Sequence, residues 1–249
     1  MSEELILGRI LFIGAHPDDI EIGCGGTAAK FLNNGNPIAF ATATREKDPV
    51  NSETRKAEAT KAAALLGLSE SSGNLFFGTV LDGDLNQKHK ELREWLKGLL
   101  NQLKPDTVFV HRADDHSDHT AIYEVSKGVF ENKNLFLYGI PRQAPDAPFN
   151  ATCGIAISEF IEKKVSMCAC HTSQRPIYIS RDSVTTAAHS CYLRWFGATQ
   201  MRADGFAEEF QLRAWRSPLE SGSVDVSVPS MTDELHLISH SDGTFKWED

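Results

Sequence analysis

The sequence predicts an α/β fold: a doubly wound, mainly parallel sheet with strand order 3-2-1-4-5 and C-terminal α+β additions. Three observations lead there. Short, partly β-branched apolar runs alternate with longer segments of helical spacing through residues 10–138. The runs read as strands of a sheet covered on both faces by helices. The first of them ends in a turn dense with ionisable groups, the place where such sheets bind ligands.

The elements follow in order. Ile10-Leu11-Phe12-Ile13 is the first strand, and a helix begins with Thr27-Ala28-Ala29-Lys30-Phe31-Leu32. Between them, residues 14–26 hold His16, Pro17, Asp18, Asp19, Glu21 and Cys24 among four glycines. Residues 37–44 form the second strand, and 52–68 a helix with Ala and Leu at helical spacing, closed near Gly67. Residues 74–77 are the third strand. Leu92, Trp95, Leu96, Leu99 and Leu103 mark an amphipathic helix over 88–103, stopped by Pro105. Residues 106–111 give the fourth strand, 119–129 a helix and 134–138 the fifth strand. The core, 1–140, is therefore Rossmann-like.

Beyond Tyr138 the pattern loosens. Pro141, Pro145 and Pro148 suit a surface loop over 141–152; a short strand near 154–157, a helix over 158–170 and another over 181–200 follow. The tail, 224–249, is read as a strand-rich extension packed on the main domain or on a neighbour. The organisation expected is one domain, 1–249, with 141–249 as C-terminal elaboration on the core.

Composition narrows the function. A net charge of -9, from 25 basic against 34 acidic residues, lacks the surplus of Lys and Arg that nucleic-acid or anionic-membrane binding requires. The N-terminus, Met1-Ser2-Glu3-Glu4, is acidic where a secretory signal is basic, and no apolar run approaches the roughly 18 residues of a membrane-spanning helix. A cytoplasmic location is expected. The five cysteines, Cys24, Cys153, Cys168, Cys170 and Cys191, are an odd set without C-x-x-C pairs, which suits reduced thiols in the core. The C-terminal elements are candidates for subunit contacts in a homo-oligomer.

The second informative segment, His111-Arg112-Ala113-Asp114-Asp115-His116-Ser117-Asp118-His119, follows the fourth strand directly. Strands one and four should be neighbours where a doubly wound sheet reverses direction, so both turns face one crevice. A hydrolytic zinc site needs three nitrogen or oxygen ligands and one position for water, and His16, Asp19 and His119 can supply that set.

With these residues in place, the chain resembles the zinc-dependent N-acetylglucosaminyl deacetylases of the PIG-L or LmbE-like type. The resemblance rests on Ala15-His16-Pro17-Asp18-Asp19 with Gly23-Cys24-Gly25-Gly26-Thr27, and on His116-Ser117-Asp118-His119, where Ser117 replaces the family's usual proline. It extends more weakly to Arg55 and Glu58, to His171-Thr172-Ser173-Gln174 and to Phe206-Ala207-Glu208-Glu209-Phe210. The family often has Glu directly after the two aspartates; here Ile20 intervenes before Glu21.

The resemblance implies zinc, or another divalent transition metal, on His16, Asp19 and His119. It implies Asp18 as the general base and then proton donor to the leaving amine, and His116 as an oxyanion donor oriented or charged by Asp118. Arg55 and His171 are the candidate substrate-binding residues. The substrate is an N-acetylated amino sugar or a conjugate of one, and the products are acetate and a free amine.

Each role has a plainer competitor. Asp18 is a candidate helix cap, Asp114 or Asp115 could replace Asp118 beside His116, and His111 reads as a buried strand-end residue. Arg55 could pair with Glu58 or another acid on the helix face. Cys168-Ala169-Cys170-His171 could bind a second metal, but its helical pattern favours core packing. Among other functions, a dinucleotide site lacks its G-x-G-x-x-G fingerprint, and Asp18 and Asp19 would repel a pyrophosphate. An amidase for another N-acyl conjugate would use the same machinery. A non-catalytic sugar- or metal-binding protein would not need Asp18.

Overall fold

The computed structural model describes residues 7–140, 151–196, 205–214, 236–239 and 245–248. The proline-rich loop expected at 141–152 lies outside the described residues except for its last two positions, as do residues 197–200 and most of the tail from 224.

Strands and helices alternate as β1 (Ile10–Gly14), α1 (Asp19–Asn33), β2 (Ile38–Arg45), α2 (Pro49–Ala64), β3 (Leu75–Leu81), α3 (His89–Leu103), β4 (Thr107–His111), α4 (Ser117–Val129) and β5 (Asn134–Tyr138). After them come β6 (Cys153–Ala156), α5 (Ile161–Cys168), α6 (Pro176–Ile179), α7 (Arg181–Phe196), β7 (Ala207–Ala214), β8 (His236–Ser239) and β9 (Phe245–Glu248). They build one sheet in the order β3-β2-β1-β4-β5-β7-β6-β8-β9. The first five strands are parallel in the order 3-2-1-4-5, and β7 joins β5 antiparallel.

Residues that alternate along each strand face opposite layers. Phe12, Phe40, Phe109 and Phe136 point to one side, against α1, α2 and α5; the Phe109 ring stacks on Phe12 at 4.9 Å and on Phe136 at 4.7 Å. Leu11, Ile13, Val108, Val110, Leu135 and Leu137 point to the other, against Leu92, Leu96, Leu99 and Leu103 of α3 and Ile122 and Val125 of α4. The sheet is thus buried on both faces. This is why its strands read as unbroken apolar runs.

Four elements differ from the sequence expectation. The first helix starts at Asp19, not Thr27; the glycines behind the turn lie inside it, and the backbone breaks at Cys24 (φ -146°, ψ 21°). The third strand continues to Leu81, because at Gly78 any Cβ would stand 2.1 Å from the Ala43 carbonyl oxygen, where the register with β2 shifts. The second helix begins earlier, at Pro49, with the Asp48 carboxylate accepting from Asn51 N at 2.9 Å. The helix expected over 158–170 divides into a 3-10 turn, Ser158–Phe160, and α5.

Candidate metal centre and active site

Neighbouring β1 and β4 end side by side, with Ile13 opposite Val110, so the turns after both open on one crevice. The first turn is tightly folded. Ala15 O accepts from Thr44 N at 2.9 Å and Thr44 Oγ1 at 2.7 Å, and Asp19 Oδ2 accepts from His16 N at 2.6 Å. Asp18 has φ 118°, a conformation that costs a non-glycine residue about 1–3 kcal/mol and is held by what surrounds it. Its carbonyl receives Ile22 N at 3.0 Å, but its side chain caps nothing. The carboxylate is left for other work.

Three atoms converge between the turns. His16 Nδ1 is 3.3 Å from Asp19 Oδ2 and 3.3 Å from His119 Nε2, and the last two are 3.7 Å apart. Ligands about 2.0–2.1 Å from a tetrahedral ion stand about 3.3 Å from one another, so this triangle fits a zinc-sized cation. The far side of each ring fixes which nitrogen faces inward. Asp114 Oδ2 lies 2.8 Å from His119 Nδ1, which places the proton there and leaves Nε2 a lone pair. Asp82 Oδ1 and Asp118 Oδ2 lie 3.2 and 3.3 Å from His16 Nε2 and do the same for that ring.

Two lone pairs and a carboxylate oxygen therefore face one another. Burial opposes a charge on His16, yet Asp19, Asp118 and Asp82 raise its pKa well above the ordinary histidine value. Burial alone would raise Asp19; the surrounding His111, His119 and His16 hold it well below the usual carboxylate range. Both shifts reflect the attraction between the Asp19 carboxylate and the imidazoles packed around it.

His111 is closer to this centre than its place at a strand end suggested. It is fully buried, stacks on His119 with centroids 3.9 Å apart, and puts Nε2 2.8 Å from Asp19 Oδ2. Burial pushes its pKa down to about 4 in spite of Asp19, so the ring is neutral at pH 7. Its Nδ1 makes no hydrogen bond among the described residues, so the Asp19 contact is the polar contact its nitrogens make there. With Asp19 and His119 it forms an alternative ligand set, and His16, His116 and His119 form another.

Asp18 stands beside the triangle with different neighbours. Burial, and then Asp19, raise its pKa to about 7, with Arg55 opposing. Arg55 pairs with two acids, but not with Glu58 of its own helix. Its Nη2 donates to Pro17 O at 2.7 Å and to Asp18 Oδ1 at 3.3 Å, and its Nη1 to Glu46 Oε1 at 2.5 Å. The guanidinium braces the turn from behind. Glu58 instead receives Thr172 Oγ1, Ser173 N and Ser173 Oγ, at 2.6 to 2.8 Å, and fixes the segment after α5.

His116 lies at the open side of the triangle, half-buried, with its ring edge-on to His16 at 4.6 Å. Its Nδ1 accepts from Asp118 N at 3.3 Å, which leaves the proton on Nε2. The Asp118 side chain is not the partner expected for that ring. Its oxygens accept from Gly83 N at 2.7 Å and Leu85 N at 3.1 Å and face His16, so it serves that ring instead. Nor does Asp114 pair with the His116 ring: its side chain serves His119 and accepts from His116 N at 2.8 Å. His171 is fully buried, 3.3 Å from Glu21 Oε1. Burial disfavours its cation, but Glu21 and Asp18 raise its pKa above the ordinary value.

The sequence reading missed Asp82. The signal was available, because Asp82 follows the third parallel strand and so lies at the same edge of the sheet. The cysteines of the Cys168-Ala169-Cys170-His171 cluster join no metal-ligating group among the described residues, and Cys168 packs in the core. All five thiols are free. Among the described residues, no helix is long and apolar enough to cross a membrane.

Comparison with known proteins adds to this geometry. Residues 11–130, which hold both turns, match the family model PIG-L, GlcNAc-PI de-N-acetylase. The chain is 34% identical over 123 residues to the uncharacterized deacetylase YaiS of Escherichia coli (strain K12), a match spanning 47% of this chain and 65% of that protein. Solved structures that share the fold include a hydratase and a deacetylase. GalB, the 4-carboxy-2-hydroxymuconate hydratase of Pseudomonas putida KT2440, superposes with a TM-score of 0.69 at 17% identity, covering 86% of this chain and 100% of that one. The N,N'-diacetylchitobiose deacetylase of Pyrococcus horikoshii gives 0.60 at 20% identity, covering 82% and 83%. A hydratase and a deacetylase on one scaffold show that the fold by itself does not choose the reaction.

Proposed function

We propose that this chain, whose residues 11–130 match the PIG-L family model, is a metal-dependent hydrolase that removes the acetyl group from an N-acetylated amino sugar or a conjugate of one. The observation that carries this reading is the triangle of His16 Nδ1, Asp19 Oδ2 and His119 Nε2, whose spacing and inward lone pairs suit a small divalent cation. Zinc is the metal proposed, held by those three residues. Bound there, it would acidify a water molecule and polarise the acetyl carbonyl.

The remaining chemistry falls to the chain's own side chains. Asp18, with its pKa near 7, accepts the water proton at neutral pH and passes it to the departing amine nitrogen. His116 offers Nε2–H to the oxyanion that forms as water adds to the carbonyl, a donor worth about 3 kcal/mol in comparable sites. Asp82, Asp114 and Asp118 keep the two metal-binding imidazoles in the required tautomers. Arg55 holds Asp18 in its strained position.

The test is a panel of N-acetylated compounds, including N-acetylglucosamine, N,N'-diacetylchitobiose and a longer N-acyl glucosamine. Acetate and free amine are measured before chelation, after it, and after zinc is restored. Acetate release that disappears with the metal and returns with zinc supports the reading. Release of only the longer acid would make the protein an amidase for larger acyl groups. A zinc-loaded protein that cleaves no amide in the panel would overturn it.

A further inference from the structure

The break in α1 lies one turn beyond the metal-binding aspartate, and two buried charges close it. The first part of the helix, 19–23, begins on Asp18 and carries Asp19 and Glu21. Its last carbonyls, Glu21 O and Ile22 O, receive the Lys164 ammonium from α5 at 3.2 and 2.6 Å. Past Cys24 the helix starts again, and its first free donors, Gly26 N and Thr27 N, bind Glu208 of β7 at 3.0 and 2.7 Å. A helix start is normally capped by its own Ser, Thr, Asp or Asn. Cys24 cannot do this, and a carboxylate from 182 residues away does it instead.

Lys164 Nζ and Glu208 Oε1 meet at 2.5 Å, both side chains at 5% exposure or less. Two glycines make room for the arrangement: a Cβ at Gly23 would lie 2.3 Å from the Tyr138 ring, and one at Gly26 2.4 Å from Ile157. A buried ion pair is a poor source of stability compared with apolar side chains of the same size. Here it makes contacts that apolar side chains could not, with the orphan backbone groups on both sides of the break.

We propose that Lys164 and Glu208 are positioning residues: by holding both ends of the break in α1, they set where Asp18 and Asp19 stand in the metal-binding turn. Without the clamp the short first turn has no fixed end. Its carbonyls would re-form the ordinary helical ladder, rotating Asp19 away from His16 and His119. The inference rests on the reading of His16, Asp19 and His119 as metal ligands.

The test compares the full chain with Glu208→Gln, which keeps the shape and loses the charge, and Lys164→Arg, which keeps the charge and alters the fit to the two carbonyls. Leu99→Ala, on α3 across the sheet, is a control for lost stability alone. Zinc affinity is read by chelator competition, with thermal unfolding and acetate-release kinetics alongside. In Glu208→Gln, zinc affinity is expected to fall about tenfold or more, and kcat to fall while KM changes less than about twofold. Lys164→Arg shows a smaller loss in the same direction. Leu99→Ala keeps its zinc affinity within about twofold despite a lower unfolding temperature.

Wild-type zinc affinity in a folded Glu208→Gln or Lys164→Arg protein, with only the unfolding temperature lowered, would sink the proposal. Should Glu208→Gln not fold, Lys164→Arg carries the test. A wild-type chain that binds zinc but releases no acetate defeats the functional reading and leaves the clamp to be judged by zinc affinity. One that binds no divalent metal defeats both.

Discussion

Two clusters of buried charge flank the first turn of α1, and they are closed in opposite ways. Around Lys164 and Glu208, the ammonium has three acceptors and the carboxylate has two backbone donors besides the ammonium. Around His16, Asp19 and His119, carboxylates take the outward nitrogens, and the inward lone pairs face each other across 3.3 Å. His111, in the same cluster, keeps its buried Nδ1 without a hydrogen bond among the described residues. The first cluster is satisfied by the chain itself. The second leaves inward-facing lone pairs of the kind a cation would take, and the contrast sets a structural charge pair apart from a candidate site.

The largest expected effect comes from removing a ligand. His119→Ala should lose bound zinc, measured by metal analysis, and with it all metal-dependent acetate release. Asp18→Asn should keep the zinc while kcat falls by about 10²- to 10⁴-fold, the usual range for a general acid-base group. Full activity in that variant would remove Asp18 from the mechanism. On the other cluster, Lys164→Met leaves Glu208 buried and unpaired, which should lower unfolding free energy by about 3–5 kcal/mol in denaturant titration.

Asp114→Asn tests the carboxylates behind the ligands. It should weaken zinc binding by about 10- to 100-fold in chelator competition, since His119 loses the partner that fixes its tautomer.

A further effect concerns pH. The folded-state pKa of Asp18 is about 7, above the usual carboxylate value of about 3.9. In metal-free protein the folded chain thus holds more protons than the unfolded one between those values. Asp18's contribution to stability is present below pH 4 or so and is lost as pH rises through about 7. Asp18→Asn should remove that slope from metal-free unfolding curves. Arg55→Gln, which takes away a charge that lowers the Asp18 pKa, should move the acid limb of kcat/KM to higher pH.

Much of the fold was legible because it is written in local patterns. The five parallel strands are short apolar runs, their helices carry Leu or Ala at helical spacing, and the order 3-2-1-4-5 follows from the topology usual for that series. The candidate residues His16, Asp18, Asp19, His116 and His119 stood out for the same reason: each lies within a few residues of a strand end. What was misread depended on distant contacts. The glycines at 23, 25 and 26 read as a turn, whereas Glu208 and Lys164 make it possible for helix to form on both sides of Cys24.

The sequence by itself thus determined the core elements, the order of the five parallel strands and which turns gather the ionisable groups, because periodicity and strand ends are properties of neighbouring residues. Tertiary structure alone decided the partners. It turned Asp118 from His116 to His16, set Arg55 behind Asp18, and brought Asp82 and His111 into the centre. Such choices depend on which buried donor meets which acceptor, and low-dielectric burial makes every unmatched group costly. That matching is settled only when strands far apart in sequence lie side by side.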